Sequence, residues 1–291
     1  MKKPKMLRHT TLMGTIVIWI ALVMIHPISL HAANVTVGCA GATGTFDYSN
    51  ITDALNALHA VSPRDHQITV SGTCSELVTV SDFENLRLIG TAGRAIADPG
   101  PSVAGPGFVL SVVQSTNVLV QGFTLRGSGK NGRGVGIVCC SNEVDFQQCT
   151  FQQGNTGLFL NRFANASMEA STVQNNALAM RISGQSVMTI GSLDPNSAST
   201  VIQGNDTGVQ VDENAQASLY GSTMVENNSG VGVNVQGARL RLCCDSGQRQ
   251  VLNNLIGIVV SYGSVDMIGP ALIQGNSLAG IQLFDGSATL R

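Results

Sequence analysis

Gly157-Leu158-Phe159-Leu160 opens a phrase that this chain repeats five more times. Ala179-Met180-Arg181-Ile182, Gly208-Val209-Gln210-Val211, Gly232-Val233-Asn234-Val235, Gly257-Ile258-Val259-Val260 and Gly280-Ile281-Gln282-Leu283 follow. Each is a small residue leading an alternating apolar triplet, and the steps between the small residues are 22, 29, 24, 25 and 23. An asparagine precedes each phrase: Asn155, Asn176, Asn205, Asn228, Asn254 and Asn276. Strand side chains alternate, so the outer two residues of a triplet face inward and the middle one outward. One triplet fits any strand. Six in step imply stacked coils whose inward columns make one continuous core.

A second set of strands runs beside the first: Val118-Leu119-Val120, Val144-Asp145-Phe146, Ala166-Ser167-Met168, Ala217-Ser218-Leu219, Leu240-Arg241-Leu242 and Val265-Asp266-Met267. The pattern implies an all-β chain, a right-handed single-stranded parallel β-helix of about eight coils over 83–291, its hand taken from the crossover rule. At a strand spacing of ~4.8 Å, about eight coils make a rod roughly 38 Å long. The asparagines are expected to bond from coil to coil as a ladder. Three insertions break the period, at Thr91 to Gly107, Arg126 to Gly134 and Ser192 to Thr200. Ala288-Thr289-Leu290-Arg291 begins a further coil and stops. The reading frame is therefore expected to be cut short or that end to be covered by a partner, with end-to-end self-association through the uncapped coil.

Composition agrees with a glycine-rich solenoid. The 291 residues include 33 glycines, 43% hydrophobic residues and only 12% charged ones. That is too apolar for disorder. Lys2, Lys3, Lys5 and Arg8 precede an apolar run from Leu12 to Ile25, and Ser29-Leu30-His31-Ala32 offers a small residue for cleavage. Residues 1–32 therefore read as a secretory signal peptide, and the protein as secreted, periplasmic or at the cell surface, with no membrane contact after cleavage. Removing those four cations leaves 12 basic against 18 acidic residues, a net charge of −6, with Lys130 the only lysine. Such a chain is a poor partner for nucleic acid.

Residues 33–82 read as an N-terminal cap. Asn34 to Val37 is a strand, and Asn50 caps an amphipathic helix with Ile51, Ala54, Leu55, Leu58 and Val61 on one face. Gln67 to Val70, Leu77 to Val80 and Leu86 to Ile89 alternate as strands. The helix, followed by Gly72-Thr73-Cys74-Ser75-Glu76-Leu77-Val78, resembles the opening of pectin methylesterases and of the wider pectate lyase-like, right-handed parallel β-helix superfamily. In those families a short helix plugs the first coil and a Gly-x-Tyr-x-Glu-x-Val strand follows, with Cys74 here in place of the aromatic residue. The resemblance covers about 60 residues and implies a fold.

Seven cysteines in an exported chain favour a disulfide. Cys39 and Cys74 both lie in the cap and are the expected pair. The Cys139-Cys140 and Cys243-Cys244 doublets lie about four coils apart, ~19 Å, too far for a disulfide or a shared metal. Cys140 with Cys149 is an open alternative, the rest reading as small core residues.

The resemblance also implies three chemistries: calcium-dependent lyase, hydrolase with paired aspartates, and esterase with two aspartates and an arginine. Each needs converging carboxylates. The outward columns read Asp145, Ser167, Met188, Ser218, Arg241, Asp266, and Val138, Phe159, Arg181, Gln210, Asn234, Val259, Gln282. Arg241 and Asp266 make a surface pair, and no histidine follows His66. The Asp-Asp, Gly-His-Gly and Arg-x-Lys motifs are lacking. Asp145 and Glu169 are the catalytic candidates that remain. Arg126, Lys130 and Arg133 in the glycine-rich loop, with Arg181, are the candidates for gripping an acidic group. Phe159, Phe163, Tyr220 and Tyr262 are the aromatics available for sugar stacking.

Two readings follow. The first is a non-catalytic exported module that binds or scaffolds, contacting acidic polysaccharide, without cofactor or metal. The second is a divergent polysaccharide lyase or glycoside hydrolase acting on uronic-acid polymers, and calcium enters only there. The residues favour the first.

Overall fold

The computed structural model describes residues 33–61, 64–91, 94–101, 107–194, 196–243 and 247–291. The expected signal peptide, residues 1–32, lies outside them. The chain winds through three parallel sheets. The first has eleven strands, from Asn34–Gly38 to Ser287–Leu290. The second has nine, from Val78–Ser81 to Ala279–Phe284, and the third nine, from Thr73–Ser75 to Ala271–Gln274. The one helix among the described residues is Ile51–Val61, and none there is long and apolar enough to cross a membrane.

The repeated phrase is the second sheet. Leu158 pairs with Met180, Met180 with Val209, Val209 with Val233, Val233 with Ile258, and Ile258 with Ile281. Inward side chains from all three sheets form one unbroken apolar core. The leading glycines are needed for close approach: a Cβ on Gly232 would lie 2.7 Å from the Gly257 carbonyl and 2.8 Å from Asn254 Nδ2.

Polar ladders hold the corners. Asn205 Oδ1 accepts from the Asn176 backbone N–H at 2.9 Å and from Asn176 Nδ2 at 3.1 Å. Asn228, Asn254 and Asn276 repeat the arrangement. Each Nδ2 also donates to a main-chain carbonyl, as Asn205 does to Val173 at 3.1 Å. Asn155 stands outside the ladder. It is exposed, donates to the Lys130 carbonyl, and leaves the rung to the Gly154 N–H, which donates to Asn176 Oδ1 at 2.9 Å. At another corner the backbone N–H groups of Phe83 and Ser115 donate to Ser115 Oγ and Ser141 Oγ, each at 3.1 Å.

Three expectations about facing need correction. Thr189, not Met188, continues the outward column between Ser167 and Ser218. Met188 is buried between Ala166 and Ala217, filling space that those small residues leave. Ile137, not Val138, faces outward beside Phe159, because Val138 stacks inward between Val112 and Leu160. In both strands apolar residues occupy both faces, so alternation alone leaves the register open. The helix buries Ile51, Ala54, Leu55 and Leu58, whereas Val61, in its last turn, is 81% exposed.

The cap is held by specific bonds. Asn50 Oδ1 accepts the Asp53 N–H at 2.7 Å. The Glu76 carboxylate receives the N–H groups of Ile51 at 2.8 Å and Thr52 at 3.0 Å, an anion on a helix N-terminus. Cys39 and Cys74 are disulfide-bonded, with Cα atoms 5.0 Å apart. Cys140 and Cys149 are both free, the first exposed and the second buried on the inward side, so no bond joins them. Cys243 is disulfide-bonded rather than a plain core residue.

Candidate functional site

A groove of about 680 Å³ lies on the outer face of the first sheet beside the cap. Its floor is the outward column Gln67, Arg87, Leu119, Asp145, one residue per coil in register. Its rim is a second column. Asn117 Nδ2 donates to Asn85 Oδ1 at 2.6 Å, and Asn85 Nδ2 donates to Asp65 Oδ1 at 2.8 Å. Asp65, Asn85 and Asn117 have φ of 56°, 59° and 54°. Asparagine and aspartate tolerate this left-handed conformation best among non-glycine residues. It falls at the second residue of each strand, Arg64–Ser71, Glu84–Gly90 and Thr116–Gln121, and these side chains line the groove's edge. The wall is thus mainly amides, with Arg87 exposed at the centre.

His66 lines the same region but is 2% exposed, and its Nδ1 accepts the Ala33 N–H at 3.2 Å. That bond ties the first strand to the second and points the ring inward, in register with Leu86.

The candidate acids fall on one face without sharing a cleft. Asp145 is in the groove and accepts Ser167 Oγ at 2.6 Å. Glu169 lies one coil on, opposite Gln147, and accepts Ser197 Oγ at 2.6 Å in a separate hollow of about 250 Å³. One rung and two residues separate them, about 8 Å between backbones. Asp65 is three rungs from the Asp145 coil, about 14 Å, beyond the span of a carboxylate pair acting on one glycosidic bond. The one group of three potential metal ligands among the described residues is Cys39, Cys74 and Glu76. Its sulfurs are joined to each other and its carboxylate caps the helix.

Most candidate cations have partners. Arg133 Nε lies 3.4 Å from Asp98 Oδ1, and Ser128 Oγ donates to Asp98 Oδ2 at 2.7 Å. Asp98 belongs to the Thr91–Gly107 insertion, so two insertions clasp each other. Lys130 pairs with Asp206 further along the rod. Arg126 is exposed, in register with Gln152. Arg181 lies on the second sheet, away from this loop, and both its Nε and an Nη stand 3.1 Å from Asp212 Oδ2. Its guanidinium sits 5.4 Å over the Phe159 ring, which stacks on Phe108 at 6.2 Å. Asp266 takes Arg239 as its ion-pair partner, although Arg241 is its neighbour in register. From the same outward face, Arg239 reaches it diagonally across the coils.

The stacking candidates are dispersed. Phe163 and Tyr262 are each 71% exposed, at the same corner of the coil but about four coils apart, ~19 Å. Phe159 is under Arg181, and Tyr220 is half-buried.

Sequence reading missed Arg87 and the amide rim. The rim residues are spaced by 20 and 32 (85 − 65 and 117 − 85), so no fixed period reveals them. The one available signal was an Asp or Asn at the second residue of each strand.

No protein-family model matches the chain, and no curated protein matches it by sequence. Solved structures of similar outline are pectin methylesterases. The chain is 13% identical to the deglycosylated enzyme from Aspergillus niger over 89% of its own length and 86% of that chain, with a TM-score of 0.46. It is 13% identical to the carrot enzyme over 87% of its own length and 88% of that chain, with a TM-score of 0.38. Similarity at that level assigns no role to any residue.

Proposed function

We propose that this is an exported binding module that lays an acidic polysaccharide along the outer face of the first sheet. The groove carries the reading. Its amide rim offers donors and acceptors at about 4.8 Å intervals, and Arg87 supplies an exposed cation suited to a carboxylate. Lys130, Arg133, Arg181 and Arg239 are instead held in ion pairs within the chain.

Affinity electrophoresis against uronic-acid polymers tests this. Wild type is expected to be retarded, and Arg87→Ala to bind about tenfold more weakly, with the same melting temperature. An unchanged affinity in Arg87→Ala would overturn the reading. Retardation should fade as salt rises, because exposed charges are screened.

A second reading keeps one supporting observation: Asp145 and Glu169 lie on one face with backbones about 8 Å apart, near enough for two side chains to act on one sugar. New reducing ends released by wild type and lost in both Asp145→Asn and Glu169→Gln would favour it. No release from any polymer bound would remove it.

A further inference from the structure

The Cys139-Cys140 doublet ends the strand Gly134–Cys139, where the chain turns toward Asn142–Gln147. Successive residues of a strand normally point to opposite faces. Here Cys140 has φ of 55°, and this left-handed step swings its side chain round to that of its neighbour. The two Sγ atoms stand 3.2 Å apart, and both thiols are free. Cys140 is exposed and Cys139 half-buried. Burial, then the hydrogen bond with Cys140, raises the Cys139 thiol above its ordinary value, while the Arg162 charge acts in the opposite sense. Cys149, the remaining free thiol among the described residues, is buried and pushed up to about 11 by that burial, which keeps it protonated and out of reach.

We propose that Cys139 and Cys140 form a dithiol exchange site that small-molecule disulfides, such as oxidised glutathione, convert to a vicinal disulfide. The exposed Cys140 loses its proton, and its thiolate attacks one sulfur of the incoming disulfide. That S–S bond breaks, one small thiolate leaves, and Cys140 carries a mixed disulfide. Cys139 then loses its proton to solvent and attacks Cys140 Sγ, expelling the second small thiolate. Two protein thiols are oxidised, one small disulfide is reduced to two thiols, and the protons released to solvent balance them. Exchange follows thiolate character and access, which this pair divides between an accessible attacker and an adjacent resolver. Closing a bond between adjacent residues makes a small ring. Strained, exposed disulfides of this kind are the readily reduced ones. The site is therefore reversible, unlike the Cys39–Cys74 bond of the cap.

The test uses the folded wild-type protein and oxidised glutathione, followed by denaturation in the presence of an alkylating agent, tryptic digestion and mass spectrometry of the peptide Gly134 to Arg162. The expected product lacks two hydrogens at Cys139-Cys140, carries an alkylated Cys149, and is restored by dithiothreitol. Cys139→Ser should stop at one glutathione on Cys140, with an unchanged circular dichroism spectrum. A wild-type peptide that stays unmodified, keeps glutathione on Cys140, or links to Cys149 or to another chain would overturn the proposal. The wild-type digest decides alone, so a variant that misfolds does not change the outcome.

Discussion

Two columns of amides climb this rod, and they do different work. The inner one, Asn176 to Asn276, lies at a corner where Asn176, Asn205, Asn228 and Asn254 are at most 2% exposed. Every one of these amides bonds the next coil's amide and a main-chain carbonyl. The outer one, Asn85 and Asn117 ending on the carboxylate of Asp65, bonds along itself and faces water in the groove. Residue type and rung spacing are nearly the same. Burial decides the role, since an unmet buried polar group costs far more than an exposed one.

The largest expected effect breaks the inner column. Asn205→Ala deprives the Asn176 N–H of its acceptor and the Val173 carbonyl of a donor. It should cost about 3 kcal/mol or more in urea unfolding, and a loss under ~0.5 kcal/mol would contradict the ladder's structural role. Gly232→Ala follows at about 1–3 kcal/mol, because the added methyl must push the Gly257 carbonyl or Asn254.

Asn85→Gly sharpens the contrast on the outer column. Glycine adopts the left-handed turn freely, so stability should stay within ~0.5 kcal/mol of wild type. Polymer affinity should fall roughly threefold, the worth of a single exposed hydrogen bond. A stability loss equal to that of Asn205→Ala would erase the distinction between the columns.

The smallest effect concerns Asp47, an exposed acid that accepts Thr36 N–H at 2.7 Å and Thr36 Oγ1 at 2.8 Å. These bonds, the backbone one first, hold its carboxyl below the usual value. Its folded pKa is depressed, so its contribution is complete above the ordinary carboxylate pKa and fades as pH falls through the lower folded value. The melting-temperature difference between wild type and Asp47→Asn should be constant near neutrality and shrink only in acid. A difference that grows in acid would contradict the assignment.

The coil, two of its three sheets and the inner ladder were legible because they repeat, whereas the three-residue strands of the third sheet, such as Thr150–Gln152, were too short to show a pattern. Leu158, Met180 and Val209 announce their common column by spacing, and the asparagines ahead of them do the same, apart from Asn155. What stayed hidden lies where the period breaks. The strands holding Met188 and Val138 carry apolar residues on both faces, so only the stacked neighbours fix which face turns inward. Arg87 lies in the strand just before the Thr91–Gly107 insertion, which stretches the step to its stacked neighbour Leu119 to 32 residues (119 − 87), so spacing along the chain does not show the column they share. The insertions hid their own pairing too. Nothing in Arg126 to Gly134 signals that Asp98, far back in the chain, holds Arg133.

Hydrogen–deuterium exchange with and without a soluble oligogalacturonate tests directly whether the groove beside the cap holds the polymer. Slowed exchange is expected only in Arg64–Ser71, Glu84–Gly90, Thr116–Gln121 and Asn142–Gln147, the strands under the groove. Protection centred on Leu178–Ile182 around Arg181, or no protection at saturating ligand, would contradict it.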